Sequence, residues 1–77
     1  MVHLTPRLLL EIMQGETFDT YKQVEEGIRL RFNEKVLEFP PGYTYIDAID
    51  RGIKYGWIRK REGKYVIDVK VDALVAA

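Results

Sequence analysis

The sequence predicts an α+β domain in which three helices are followed by a C-terminal β-hairpin. Three segments repeat apolar residues at spacings of three and four, which is the pattern of an amphipathic helix. These helices are expected at about residues 6–14, 21–32 and 45–55. Two β-prone runs, at about 57–61 and 64–71, flank Glu62-Gly63, a dipeptide suited to a tight turn. With 77 residues, the chain has the size of a single domain.

The first helix is expected to begin at Thr5-Pro6. The threonine hydroxyl can accept a hydrogen bond from the first turn, and a proline at the first helical position loses no intrahelical bond. Gly15 marks the expected end of this helix. Its predicted buried residues are Leu8, Leu9, Ile12 and Met13.

The second helix is expected to start at Thr20, which forms a capping box with Gln23. Its predicted buried stripe consists of Tyr21, Val24, Ile28 and Phe32. Gly27 inside the helix costs about 1 kcal/mol relative to alanine, so we expect another backbone segment to pass close to it. Leu30 points away from the stripe and is exposed unless the loop 33–43 covers it. The loop residues that could do so are Val36, Leu37 and Phe39.

The third helix is expected to be capped by Thr44, with Asp47 completing a second capping box. Its predicted buried stripe is Ile46, Ile49 and Ile53, extended by Trp57. The opposite face carries Thr44, Ala48, Arg51 and Tyr55, with Asp47 and Lys54 on its flanks. Gly52 offers an alternative helix end, but the continued spacing favours Gly56.

Two registers are open for the hairpin. With a two-residue loop, Ile58 faces Ile67 and Lys60 faces Tyr65. With Gly63 in a left-handed bulge after a type I turn, Trp57 faces Ile67 instead. The Glu-Gly pair favours the bulge. In both registers one face of the second strand covers the helices, and it carries Tyr65, Ile67, Val69 and Val71.

The segment from the third helix to the second strand resembles the winged helix-turn-helix superfamily. The resemblance is carried by Gly56-Trp57-Ile58, the glycine and hydrophobic exit of a recognition helix, and by Gly63-Lys64-Tyr65 on the far side of a wing. It implies a three-helix winged helix-turn-helix with a C-terminal β-hairpin wing, and a further strand within residues 16–19 that pairs with the hairpin. The loop 33–43 departs from the pattern, because a helix-turn-helix usually joins its helices by three or four residues.

Charge is distributed unevenly along the chain, although the net charge is zero. Residues 1–50 hold five basic and nine acidic residues, a balance of −4, whereas residues 51–77 hold seven basic and three acidic residues, a balance of +4. A polyanion is steered by a local basic patch more than by the total charge. The sequence therefore favours a nucleic-acid contact in the C-terminal third.

These features together predict a sequence-specific double-stranded DNA-binding protein, specifically a small transcriptional regulator. Arg51 is expected to bind a guanine edge or a phosphate, and the wing to meet phosphates or the minor groove. The predicted DNA-binding residues are Thr44, Tyr45, Asp47, Ala48, Arg51, Lys54, Tyr55, Arg59, Lys60, Arg61 and Lys64. The alternatives are a winged-helix adaptor for protein–protein interaction in a nucleoprotein or viral complex, and a solvated basic hairpin that only protects a sheet edge.

Other function classes are not indicated. The chain has no serine, no cysteine and one histidine, so nucleophilic triads and zinc sites lack their residues. We expect no enzyme activity, cofactor, metal or small-molecule ligand. The apolar run Leu8-Leu9-Leu10 is too short for a membrane span, which favours a cytoplasmic protein, in the host cytoplasm if viral. Few amide side chains favour a high-temperature host. The resemblance also implies a possible homodimer through the first helix or the tail 72–77.

Overall fold

The computed structural model describes residues 3–69. Within this part of the chain lie three α-helices, a short 3-10 turn and one three-stranded antiparallel sheet. In chain order the elements are α1 (Pro6–Ile12), β1 (Thr17–Phe18), α2 (Tyr21–Glu34), the 3-10 turn (Val36–Glu38), α3 (Tyr45–Lys54), β2 (Ile58–Arg61) and β3 (Lys64–Ile67). The predicted α+β class is confirmed, and helices followed by a hairpin are consistent with a winged-helix layout.

The sheet has the strand order β1-β3-β2, so the second strand of the hairpin is central. β1 pairs antiparallel with β3, with Thr17 opposite Val66 and Phe18 opposite Tyr65. The strand expected within residues 16–19 is therefore present. Because β1 lies immediately before α2, this pairing fixes the hairpin against the helical part of the molecule.

The hairpin has the register of a two-residue loop, with Ile58 opposite Ile67. The bulged register favoured by the sequence analysis is therefore wrong. Glu62 and Gly63 both have positive φ, 53° and 80°, which is the combination of a type I′ turn. A type I′ turn matches the right-handed twist of its strands, and this match compensates for placing a non-glycine residue in the left-handed region.

Both hairpin strands are shorter than predicted. β2 begins at Ile58, although pairing continues outward, since the Asp68 N–H donates to the Trp57 carbonyl over 2.7 Å. Ile67 and Val69 are buried as expected, and Tyr65 is half-buried. Val71, predicted for the same face, lies outside the described residues.

The helix caps follow the sequence closely. The Thr5 hydroxyl accepts from the Leu8 N–H, and the Thr20 hydroxyl accepts from the Gln23 N–H, each over 3.2 Å. The Gln23 amide oxygen accepts from the N–H of Asp19, one residue earlier than a standard capping box. These side chains satisfy amide groups that a helix start otherwise leaves without a partner.

The buried face of α1 differs from the prediction. Leu10 is fully buried, whereas Ile12 is 52% exposed. The buried positions are Pro6, Leu9, Leu10 and Met13, which also follow the three-four spacing but are rotated around the helix. A run of three leucines satisfies more than one such stripe, so periodicity alone did not fix the rotation of this short helix.

The buried face of α3 also differs, and this correction changes the candidate site. Ile46 and Ile53 are each 52% exposed, while Ala48 is only 1% exposed and Gly52 is buried. A Cβ atom at Gly52 would lie 2.5 Å from Ile58 Cδ1 and 3.1 Å from a Leu10 methyl. Small residues therefore face inward because α1 and β2 press closely against the helix, and the predicted outward position of Ala48 is wrong. Ile49 is buried, as predicted.

The loop between α2 and α3 covers Phe32 and leaves Leu30 exposed. Phe39 is buried, with its ring centroid 4.6 Å from that of Phe32. Leu30 is 57% exposed. Val36 and Leu37 in the loop are also exposed, by 48% and 93% respectively. The loop thus extends the core at one residue and presents apolar side chains at others.

Gly27 allows a close approach, but of a side chain and not of the expected backbone. A Cβ atom there would lie 2.9 Å from the ring of Phe18. Phe18 belongs to β1, so the glycine lets α2 lie close to the sheet.

Candidate nucleic-acid interface

The exposed face of α3 is the first part of the candidate site. Its solvent-facing residues are Ile46, Asp50, Arg51, Ile53 and Lys54. At about 100° per residue, Asp50 and Lys54 lie near the middle of this face, the two isoleucines on one side and Arg51 on the other. Of the predicted contact residues in α3 and at its two ends, four are exposed, namely Thr44, Arg51, Lys54 and Tyr55, whereas Ala48 faces the core.

Asp47 has a structural role at the start of α3. Its carboxylate accepts from the Thr44 N–H over 2.7 Å and from the Thr44 hydroxyl over 3.3 Å. A carboxylate in the first turn is also stabilised by the helix dipole. The Asp47 carboxylate, which was predicted on the DNA-binding face, thus serves to cap the helix.

Tyr45 is half-buried at the edge of a shallow groove between α2 and α3. The groove has a volume of about 210 Å³ and is also lined by Lys22, Glu25, Glu26 and Arg29. Two cations and two carboxylates share this small space, so their fields oppose one another. The groove presents a mixed surface and no net basic patch.

Two cations of the hairpin are held by carboxylates. Arg59 lies 3.0 Å from Asp68, and the same carboxylate accepts from the Gln14 side chain over 3.0 Å. Lys64 lies 3.7 Å from Asp19, in a pair that is largely exposed. Arg59 therefore ties β2 to the chain after β3 and to the end of α1, whereas the Lys64 pair is weak.

Four cations between the middle of α3 and the end of β2 have no such partner. Among residues 3–69, no carboxylate lies within 4.0 Å of Arg51, Lys54, Lys60 or Arg61. Lys54 and Lys60 instead lie 5.6 Å and 5.7 Å from tyrosine ring centroids, a distance typical of cation–π contacts. These four residues, here called the unpaired cations, are available to an external anion.

The pleat of the hairpin divides its cations between two faces. Arg59 pairs with Val66 and Arg61 with Lys64, so these side chains share one face of the sheet. Lys60 lies opposite Tyr65, on the face that carries Ile58 and Ile67 into the core. The basic run in the sequence is therefore not a one-sided patch, and Lys60 and Arg61 lie on opposite faces of one narrow ribbon.

Two tyrosines that were not predicted as contact residues form a cluster with Lys60, in which Tyr65 contacts both Lys60 and Tyr21. The rings of Tyr21 and Tyr65 meet edge to face with centroids 5.9 Å apart, and the Lys60 ammonium lies over the Tyr65 ring. Partial burial raises the pKa of Tyr21, and the nearby charges of Glu25 and Asp50 raise it further. The aromatic pair thus connects α2 with the hairpin in the neighbourhood of α3. The two-residue register of the hairpin places Lys60 opposite Tyr65, so the sequence could have predicted this contact. No sequence signal predicted the contact with Tyr21.

Comparisons with protein-family models, with curated proteins and with solved structures found no match to this chain. Within residues 3–69, no helix combines the length and apolar character needed to cross a bilayer. The same residues contain no cluster of three or more histidine, cysteine, aspartate or glutamate side chains that could hold a metal ion. The tail 72–77, considered above for dimer contact, lies outside the described residues.

Proposed function

We propose that this protein binds double-stranded DNA sequence-specifically as a small transcriptional regulator of the winged helix-turn-helix type. In this proposal α3 lies in the major groove and the hairpin contacts the adjacent backbone. The observation that carries the proposal is that four cations without a carboxylate partner, defined above as the unpaired cations, lie in the neighbouring elements α3 and β2. A cytoplasmic location and a homodimer that reads a two-fold site belong to the same proposal.

The state of the other cations supports this choice of surface. In the N-terminal half, ion pairs hold Arg7, Arg31 and Lys35. Lys22 and Arg29 have no ion pair among residues 3–69, but they line the groove beside α2 together with two glutamates, which oppose the approach of a polyanion. A cation already held by a carboxylate must give up that contact before it binds phosphate. An unpaired cation only exchanges water and counterions, and release of the counterions from DNA favours binding. The surface of α3 and β2 is therefore the most favourable one for a polyanion.

Each unpaired cation has a role that follows from its place. Lys54, near the middle of the exposed face of α3, and Arg51, on its flank, can reach base edges or the groove wall. Lys60 and Arg61, on the two faces of the hairpin, are suited to phosphates on either side of the ribbon. Arg59 stiffens the hairpin through Asp68 and contributes less directly.

The salt dependence of binding tests the proposal. If each of the unpaired cations meets one phosphate, the logarithm of the association constant for duplex DNA falls with the logarithm of salt concentration with a slope of about −3.6 for each bound protein chain, and all slopes below are given per chain. Replacing Lys60 and Arg61 together by glutamine reduces the magnitude of the slope by about 1.8. The measurement is fluorescence anisotropy with a mixed-sequence duplex at several salt concentrations.

The matched control replaces Arg7 and Lys35, which are ion-paired with Glu11 and Glu38, by glutamine. This double variant changes the net charge by the same amount but leaves the slope unchanged. A slope near zero for the wild-type protein, or no retention on duplex DNA at low salt, contradicts the proposal.

The second candidate is a winged-helix adaptor for protein–protein interaction in a nucleoprotein or viral complex. The observation that favours it is the exposure of large apolar side chains around the 3-10 turn, above all Leu37, which is 93% exposed. Exposed apolar surface of this kind commonly marks protein contacts. The salt titration separates the two candidates, because an adaptor does not bind mixed duplex DNA with a steep salt dependence.

A further inference from the structure

The exposed isoleucines of α3 bear on what the proposed DNA-binding surface recognises, and the inference below rests on that proposed function. Ile46 and Ile53 are each 52% exposed, whereas the core-facing positions of the same helix are filled by Ala48, Ile49 and Gly52. Single exposed apolar residues need no explanation. Two exposed isoleucines on the same side of the helix that is proposed to enter the groove do need an explanation.

The spacing of the two isoleucines matches that of stacked bases. They are seven residues apart and therefore lie on one side of α3, separated by about 10.5 Å along its axis. Successive bases on a strand are about 3.4 Å apart, so three base steps span about 10 Å. If the axis of α3 follows the major groove, both isoleucine side chains therefore lie over the bases of one DNA strand. Asp50 lies between them on the same side of the helix.

The chemistry of the major groove gives these residues a specific partner. The C5 methyl group of thymine is the apolar group among the base edges exposed there, and the exocyclic amine of cytosine donates to carboxylates. We propose that Ile46 and Ile53 contact the methyl groups of two thymines about three base steps apart, and that Asp50 accepts a hydrogen bond from a cytosine between them. The target class is a duplex with a thymine- and cytosine-containing strand.

The charge beside this stripe favours DNA over an apolar protein surface as its occupant. Lys54 follows Asp50 by four residues, and it is unpaired and exposed, as is Arg51. An apolar partner would have to desolvate these cations, at a cost in free energy, whereas DNA supplies phosphates and guanine edges for them. Asp50 also has a favourable partner in a cytosine amine but none in the phosphate backbone.

The test replaces thymine by deoxyuridine, which removes the methyl group and leaves the Watson–Crick pairing intact. A preferred duplex is first obtained by in vitro selection with the full chain from a random library. Each thymine is then replaced singly by deoxyuridine, and the dissociation constants are measured at one salt concentration. In each half-site we expect two positions, about three steps apart, at which the replacement weakens binding roughly fourfold, the effect of burying about one methyl group.

The variants Ile46→Ala and Ile53→Ala assign the two positions. Each should abolish the thymine-to-deoxyuridine difference at one position and preserve it at the other, because the methyl group and the side chain form one contact. Ile12→Ala is the matched control, since Ile12 is also 52% exposed but lies on α1. It should preserve the difference at both positions. Thermal unfolding of each variant verifies that it is folded.

The outcomes separate this inference from the proposed function. If the protein binds the selected duplex with the salt dependence given above but tolerates deoxyuridine at every position, the methyl-reading inference is wrong and the DNA-binding proposal stands. A selected site without thymine has the same consequence. If no duplex is bound, the proposed function and this inference are both overturned, and the isoleucines belong to a protein contact.

Discussion

Trp57 joins the third helix to the hairpin at the scale of a single residue. Trp57 is 5% exposed. Its backbone N–H donates to the Gly52 carbonyl over 2.8 Å. Its own carbonyl accepts from Asp68, and its ring centroid lies 5.0 Å from that of Tyr55. The residue therefore joins α3 to the hairpin through its buried ring and two backbone hydrogen bonds.

Replacing Trp57 by alanine should lower the free energy of unfolding by roughly 3–5 kcal/mol, because it removes a large buried ring. Trp57→Phe should cost much less, since the indole N–H has no acceptor among the described residues and its loss leaves no polar group without a partner. Urea denaturation followed by circular dichroism measures both values. Tyr55→Ala is the control, because Tyr55 is 40% exposed and contributes less burial. An unchanged melting temperature for Trp57→Ala contradicts the assigned role.

At the scale of the element, the hairpin contains two kinds of arginine. Arg59 is bound to Asp68 and is about one-third exposed, whereas Arg61 is exposed and has no carboxylate partner among residues 3–69. Neighbouring positions in a strand point to opposite faces, but residues two apart share a face. The two arginines thus lie on the same face and differ in what surrounds them.

The two arginines should respond differently to substitution by glutamine. Arg61→Gln should reduce the magnitude of the salt slope of DNA binding by about 0.9 without changing stability. Arg59→Gln should lower the melting temperature and alter the slope less, because it breaks a partly buried ion pair and leaves Asp68 with fewer partners. Parallel thermal unfolding and anisotropy measurements test this contrast. Equal effects of the two variants on the slope would show that the Asp68 contact opens when DNA binds.

At the scale of the whole molecule, Tyr21 marks the place where separate elements converge. The residue begins α2, its ring meets Tyr65 of β3, and the charge of Asp50 on α3 acts on it. Burial is the largest cause of its raised pKa, followed by the acidic groups of Glu25 and Asp50. Neither the burial of Tyr21 nor the effect of Asp50 on its pKa exists in the unfolded chain.

Stability should therefore fall at alkaline pH in a way that depends on Tyr21. Because the pKa of Tyr21 is higher in the folded state than the usual value of about 10, the folded protein keeps the proton longer than the unfolded chain. The stabilising contribution is complete below pH about 10 and is lost as pH rises through the folded pKa. Urea denaturation between pH 8 and 11 should show a steeper fall for wild type than for Tyr21→Phe. Identical pH profiles would contradict the tertiary origin of the shift.

The sequence predicted the order of elements well because their signals are local. The hydroxyl caps at Thr5 and Thr20 form as expected, and the Asp47 carboxylate caps α3 through the Thr44 N–H. Gly56, with φ of 76°, follows α3 as expected. Helix ends and turns depend on residues within one turn of each other, so a single sequence contains the information.

The candidate site was predicted less completely because its composition depends on which side of each element is buried. Ala48 was placed outward and is buried, whereas Ile46 and Ile53 were placed inward and are half exposed. Hydrophobicity ranks isoleucine above alanine for the core, but the space beside α3 is too narrow for a branched side chain at Gly52. The spacing of apolar residues along the sequence does not report how closely α1 and β2 approach Gly52.

By itself the sequence determined that this chain forms three helices and a hairpin, and that its positive charge gathers after residue 50. Only the tertiary structure decided which cations are free, because Arg59 meets a carboxylate nine residues away and Lys64 meets one in the connection between β1 and α2. It also decided the face of α3, through the approach of α1 and β2 to Gly52. Local preference is encoded within a few residues, whereas pairing and burial depend on which distant segments share the same space.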